Sequence, residues 1–176
     1  MEALSFLKTI IMDRSDLLVG LISLLHENGI KYCVIGGQAV NAYVEPLVSL
    51  DLDLVVATDQ ITEVERLLGQ RYILKRFPHS LNISSTGSDL RVQIQTDERY
   101  SKFLERAGQR IILGLEMPVA HVEDVLRGKV WAVQDTERRG SKRQKDLADI
   151  ARVLEKYPEL SLQIPEEIRA RLYTDE

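Results

Sequence analysis

Ser49-Leu50-Asp51-Leu52-Asp53, continuing into Leu54-Val55-Val56, narrows the fold of this chain more than any other stretch. Alternation sets Asp51 and Asp53 on one face of a strand and Leu50, Leu52, Leu54 and Val56 on the other. The apolar face needs a core beneath it. Two carboxylates at i, i+2 repel each other unless a cation joins them, and a hard divalent ion with oxygen ligands supplies one. Upstream, Tyr32-Cys33-Val34-Ile35 reads as a strand, Gly36-Gly37 as a turn, and Gln38 to Tyr43 as a short helix. Such a turn can aim backbone N–H groups at an anion. A positive φ in the turn accounts for one glycine; the second adds room for close backbone approach. Gly36 and Gly37 as a phosphate cradle, Ser49 as an added hydroxyl and Asp51 with Asp53 as Mg²⁺ or Mn²⁺ ligands point to nucleotide chemistry.

The remaining pattern predicts a mixed α/β (α+β) fold, a sheet flanked by helices with a helical C-terminal portion. Leu17, Leu18, Leu21, Ile22, Leu24 and Leu25 recur at helical spacing, and Asn28-Gly29 ends that helix. A helix ending near Gly69, short strands over 71–77 and 80–85, the turn Thr86-Gly87-Ser88-Asp89 and a strand from Leu90 to Gln95 follow. On that last strand Leu90, Val92 and Ile94 face the core, while Arg91, Gln93 and Gln95 share the face opposite. A helix is expected over 98–107, an apolar strand over 111–113, and helices over 121–134 and about 141–156. Met117-Pro118-Val119-Ala120 reads as the entry to the first of these, and Pro165 as the first turn of a terminal helix. The simplest organisation is one domain over 1–176, with its core in 30–120 and its C-terminal helices in 121–176.

Two helices carry charges that their patterns do not explain. Val122, Val125, Leu126 and Val133 form an apolar stripe, and Lys129 falls inside it. An ammonium there needs a partner or an exit to solvent, and a triphosphate is a suitable partner. The later helix opens on Ser141-x-x-Gln144, a capping-box pattern, and buries Leu147, Ile150, Ala151 and Leu154. Lys142, Lys145, Asp146 and Asp149 make the opposite stripe. Pairs at i, i+4 between them run Lys to Asp, the orientation that opposes the helix dipole, so helix stabilisation explains their order poorly.

The Gly-Gly turn and Asp-x-Asp strand, taken with Lys129 and Lys145-Asp146-x-x-Asp149, resemble the DNA-polymerase-β-like nucleotidyltransferase superfamily. Within it the chain looks most like small stand-alone prokaryotic nucleotidyltransferases, which include AbiEii-type and related toxin proteins. The resemblance spans roughly residues 30 to 155. It implies transfer of a nucleoside monophosphate from an NTP to an acceptor hydroxyl on a protein, an RNA or a small molecule. It also implies Mg²⁺ or Mn²⁺ on Asp51 and Asp53, and support of the nucleotide by Lys129, Lys145, Asp146 and Asp149. The superfamily usually adds a third carboxylate from a neighbouring strand, as metal ligand and base toward the acceptor. The matching strand offers Gln93 and Gln95; the carboxylates of that parity are Asp89, inside the preceding turn, and Asp97, at or beyond the strand end, and Asp97 is the candidate base. Leu47 stands where many relatives carry an arginine. The alternative to an enzyme is therefore a related module that binds nucleotide or a partner protein with impaired catalysis.

Composition sets the outer bounds. A net charge of −4 supplies no global field toward nucleic acid or an anionic membrane. The single cysteine, Cys33, excludes a disulfide framework and reads as a buried thiol. His26, His79 and His121 match no zinc spacing. The apolar run from Leu17 to Leu25 is too short to span a bilayer, and Glu2 and Lys8 interrupt the N-terminus. The expectation is a cytoplasmic protein.

Overall fold

The computed structural model describes residues 17–172. The expectation resting on Glu2 and Lys8 lies outside these residues. Helix α1 (17–27) ends where Gly29 takes a φ of +63° and Ile30 N–H donates to the Leu25 carbonyl. There follow β1 (Tyr32–Ile35), α2 (Gly36–Asn41), β2 (Asp51–Val56), α3 (Ile61–Gly69), β3 (Ile73–Phe77), β4 (Ser80–Ser84) and β5 (Arg91–Gln95). A 3₁₀ segment, Glu98–Arg106, leads into the hairpin β6 (Gly108–Ile112) and β7 (Leu115–Val119). Helices α4 (Val122–Gln134), α5 (Gly140–Lys156) and α6 (Glu166–Leu172) close the described chain.

The strands form one seven-stranded mixed sheet in the order β3-β4-β5-β2-β1-β7-β6. β1 and β2 run antiparallel, β2 and β5 parallel, and β1 and β7 parallel. Central position explains the composition of β1: Cys33, Val34 and Ile35 are all buried, because helices or chain cover both faces. Burial pushes the Cys33 thiol up to about 12, so it stays protonated and inert. On β2, Leu52, Leu54 and Val56 enter the core, as alternation requires. Val55 is buried as well, covered from the other face.

Several boundaries differ from expectation for identifiable reasons. The β2 ladder begins at Asp51, not Ser49, because the preceding loop is tied elsewhere: Asn41 exchanges side-chain hydrogen bonds with Leu47 N–H and C=O, and Gln38 Nε2 donates to the Ser49 carbonyl. Strand β7 runs where Pro118 suggested a helix entry. Its ladder with β1 is limited to Val34 opposite Val119, so the missing proline N–H breaks nothing on that side. The β6–β7 turn is Leu113-Gly114, with φ of 51° and 84° at the two positions, the paired left-handed geometry of a tight hairpin. Residues 98–106 form a 3₁₀ segment and not an α-helix. Helix α5 starts at Gly140 with no side-chain cap, so the Ser141–Gln144 capping box does not form.

Candidate active site

The residues set apart by the alternation of β2 and β5 come together at one cleft of about 490 Å³. Its floor is a row of in-register neighbours. Asp53 on β2 lies opposite Gln93 on β5, Gln93 opposite Asn82 on β4, and Asn82 opposite Lys75 on β3. Asp51 lies opposite Arg91 one step along. All six side chains line the cleft, and the intervening residues Leu52, Val92, Leu81 and Ile83 point into the core. Parity alone therefore aims the chemistry one way and the packing the other.

Gly36 closes the floor beside Asp53. Its φ is +67°, and a Cβ there would stand 2.3 Å from Asp53 Oδ2. Both reasons for glycine apply at once: a left-handed backbone and a carboxylate already in the space. Gly37 has neither constraint, and nothing lies within 4 Å of where its Cβ would be. Asp53 lies deep beneath the cleft walls, though part of the residue stays open to the cleft. Burial pushes its carboxyl above the usual range; Lys129 opposes that shift and Asp51 adds to it. Asp51 is held by Arg91 Nε at 2.8 Å and faces Lys142 Nζ at 3.6 Å.

The wall opposite the sheet comes from α4 and α5. Lys129 is buried and reaches the cleft edge, with Nζ 2.9 Å from Asp146 Oδ1 and 2.7 Å from Asp149 Oδ2. The first contact is a hydrogen bond; the second has ion-pair distance without hydrogen-bond direction. Burial alone would lower the ammonium pKa, but the two aspartates outweigh it and hold the pKa up, so Lys129 is a cation. Asp146 also accepts from Arg138, and Asp149 from Arg152, which in turn donates to Asn41 and the Glu45 carbonyl. The charged α5 stripe is thus not a solvated face. Asp146 and Asp149 are buried against α4 and the loop before β2, and no Lys142–Asp146 or Lys145–Asp149 pair forms. Lys145 is exposed and outside the cleft, because its helical position turns it away from α4.

Two further expected residues stand apart. Ser49 Oγ accepts from Asp51 N–H at 3.3 Å, so the hydroxyl stiffens the entry to β2 and does not line the cleft. Asp97 lies beyond the end of β5, where it accepts from Arg99 N–H as a cap and pairs with the Arg99 side chain at 2.7 Å. That pairing holds its carboxyl below the usual range, and it is not among the cleft residues. Asp97 therefore lies outside this cleft, paired with Arg99. The position beside Asp53 belongs to Gln93.

Sequence reasoning missed the outer floor and the apolar wall. Asn82 was legible only through the alternation of β4, with Leu81 and Ile83 inward and Asn82 opposite, and Lys75 on β3 joins it only through the pairing of the two strands. The wall consists of Tyr100, Phe103, Val125, Gly128 and Ala132. At Gly128 a Cβ would stand 3.2 Å from Tyr100 and 3.4 Å from Phe103, so glycine lets the 3₁₀ segment close on α4. Trp131 stacks behind Phe103, and Arg106 clamps the segment to α4 through Asp124 at 2.7 Å. Arg138, from the connection between α4 and α5, lines the cleft as well.

The donor set fits a divalent cation of the Mg²⁺ type. Asp51 and Asp53 offer hard oxygens on one strand face, and the buried Asp53 carboxyl beside a second acid is relieved by positive charge. Among the described residues no three His, Cys, Asp or Glu side chains cluster as a closed metal site. A two-carboxylate site suits an ion that keeps waters and takes phosphate oxygens from its substrate.

No protein-family profile matches the sequence, and no curated protein matches it either. Solved structures do resemble the fold. The antibiotic-resistance factor ANT(2'')-Ia superimposes with a TM-score of 0.64 at 11% identity, over 92% of this chain and 91% of that one. The lincosamide antibiotic adenylyltransferase LnuA gives 0.51 at 11% identity, over 77% and 95%. An antigenic nucleotidyltransferase-like protein from Paracoccidioides brasiliensis gives 0.53 at 19% identity, over 88% and 84%. The chain has the nucleotidyltransferase fold, as the DNA-polymerase-β-like resemblance implied. Among the described residues no helix is long and apolar enough to cross a membrane.

Proposed function

We propose that the protein transfers a nucleoside monophosphate from an NTP to an acceptor hydroxyl, with Mg²⁺ or Mn²⁺ held by Asp51 and Asp53. The observation that carries this reading is the meeting of Asp51, Asp53, Gly36 and Lys129 at one cleft edge. Five cations line that cleft, Lys75, Arg91, Lys129, Arg138 and Lys142, against three acids, Asp51, Asp53 and Asp146. That excess suits a polyanionic substrate. The ion, when bound, neutralises charge on the departing pyrophosphate. Lys129 and Arg138 stand where they can attract the phosphates, and the apolar wall of Tyr100 and Phe103 excludes water from one flank. The acceptor oxygen bonds to the α-phosphorus, the bond from that phosphorus to the bridging oxygen of pyrophosphate breaks, and the hydroxyl proton passes to water in the cleft. Membership of the small stand-alone, AbiEii-type group is part of the same proposal, as is a partner protein.

A second reading is a module that binds nucleotide but turns over slowly. Gln93 favours it, because an amide in register with Asp53 can coordinate but cannot take a proton. Incubation with α-labelled NTPs, Mg²⁺ and a panel of protein, RNA and small-molecule acceptors separates the two. Labelled product supports transfer; an NTP- and Mg²⁺-dependent thermal shift without product supports the module; neither result sinks both.

A further inference from the structure

We propose that the acceptor carries a phosphate close to its reactive hydroxyl and that Lys75 recognises it; this rests on the transferase reading above. In-line displacement places the departing pyrophosphate and the incoming hydroxyl on opposite sides of the α-phosphorus. Gly36 adjoins Asp53 from the β1 side, Lys129 stands on the wall opposite the sheet, and the row Gln93, Asn82 and Lys75 extends the floor away from β1. The acceptor therefore lies over β5, β4 and β3.

The chemistry of that half is one-signed. The side chains it adds to the cleft are Lys75, Asn82, Ser84, Arg91, Gln93 and Gln95, with no carboxylate among them. The three acids of the cleft come from β2 and α5: Asp51 pairs with Arg91, Asp146 pairs with Lys129 and Arg138, and Asp53 lies beside Gly36. Lys75 is exposed and has no carboxylate within ion-pair distance among the described residues; its ammonium lies 5.1 Å from the centroid of the Phe77 ring. Asn82 Oδ1 is buried on the floor without a hydrogen-bond partner, an acceptor for a hydroxyl donor. Strands about 4.8 Å apart put Lys75 three strands from Asp53, so its backbone is roughly 14 Å away. Both side chains stand up from the same face of the sheet, so the span between them along the floor is of that order, room for a sugar phosphate. A polyamine alcohol would meet only cations there and find no carboxylate to pair with.

The test uses the full chain saturated with a non-hydrolysable NTP analogue and Mg²⁺, titrated calorimetrically with matched probes. Ribose 5-phosphate should bind about 10–100-fold more tightly than ribose, the range of one charge-assisted contact. Lys75→Gln should erase that ratio. Arg76→Gln, one residue along on the other face and paired with Glu65 at 3.3 Å, should leave it intact. A short oligoribonucleotide with a free 3′-hydroxyl distinguishes a polynucleotide end from a free sugar phosphate, and tighter binding of either supports the proposal. Equal binding of ribose, preference for tobramycin, no binding of either phosphorylated probe, or an unchanged ratio in Lys75→Gln overturns it. If the NTP analogue itself fails to bind, the transferase reading fails first and this one falls with it.

Discussion

The two ends of the cleft are built on opposite principles. At the Asp53 end the charges of the helical wall are buried and paired. Lys129 is buried between Asp146 and Asp149, and Arg138 and Arg152 satisfy the far sides of those acids. At the Lys75 end the groups are neutral amides and an exposed lysine with no carboxylate within ion-pair distance among the described residues. The first arrangement is costly to disturb, since breaking a buried pair strands a charge in low dielectric. The second is cheap to change and sets preference, not stability. A rigid ionic anchor next to an adaptable, one-signed surface is what separates holding a common substrate from choosing a variable one.

The largest effect should come from removing the acids at the anchored end. Asp51→Asn together with Asp53→Asn should abolish Mg²⁺-dependent NTP binding, measured by calorimetry; retained binding would end the nucleotidyltransferase reading. Next comes Gln93, at the seam between the two ends. Gln93→Asp supplies both a ligand and a base beside Asp53 and should raise turnover by about 10²–10⁴-fold in the labelled-NTP assay. No gain would mean that this register position is not where the acceptor loses its proton.

Lys129→Met probes the anchor itself. Its stem volume is kept, but Asp146 and Asp149 lose their shared cation, so urea denaturation should show a loss of about 3–5 kcal/mol. A variant of native stability would break the contrast drawn between the two ends. Gly36→Ala should cost about 1–3 kcal/mol from the left-handed backbone alone. It should also weaken Mg²⁺-NTP affinity by displacing Asp53, an effect that a purely structural glycine would not produce.

The smallest effect belongs to Asp97→Asn, which should leave turnover unchanged and cost under about 1 kcal/mol, since the amide oxygen still accepts from Arg99 N–H and only the ion pair with Arg99 is lost. The pH dependence follows from the lowered carboxyl: it binds its proton less readily folded than unfolded. Its stabilising contribution is complete above the unfolded carboxylate pKa and is lost as pH falls through the depressed folded value. Asp97→Asn should flatten that acid limb in a pH series of melts, and loss of turnover there would return Asp97 to the catalytic machinery.

Local rules carried the β2 and β5 strands. Period-two alternation placed Asp51 and Asp53 on one face and Leu52 and Leu54 on the other, and it aligned Arg91, Gln93 and Gln95 before any pairing was known. The same reasoning marked Lys129 as a charge inside an apolar stripe, since 100° per residue is a property of one helix. What surrounds that charge was not local. Asp146 and Asp149 lie on the side of α5 that its own apolar residues leave free, and only the arrival of α4 and of the loop after α2 buries them. Asp97 kept the right parity yet left the cleft, because parity fixes a face and not how far along it the floor extends. Lys75 and Asn82 join Asp53 only because the β3–β4 hairpin folds back onto β5, a pairing across residues distant in sequence. The sequence by itself determined which way each strand and helix aims its side chains, because that depends on backbone geometry repeated residue by residue. Tertiary structure alone decided which of those faces meet, because strand order, register and helix docking are settled by contacts between elements that no single stretch of chain contains.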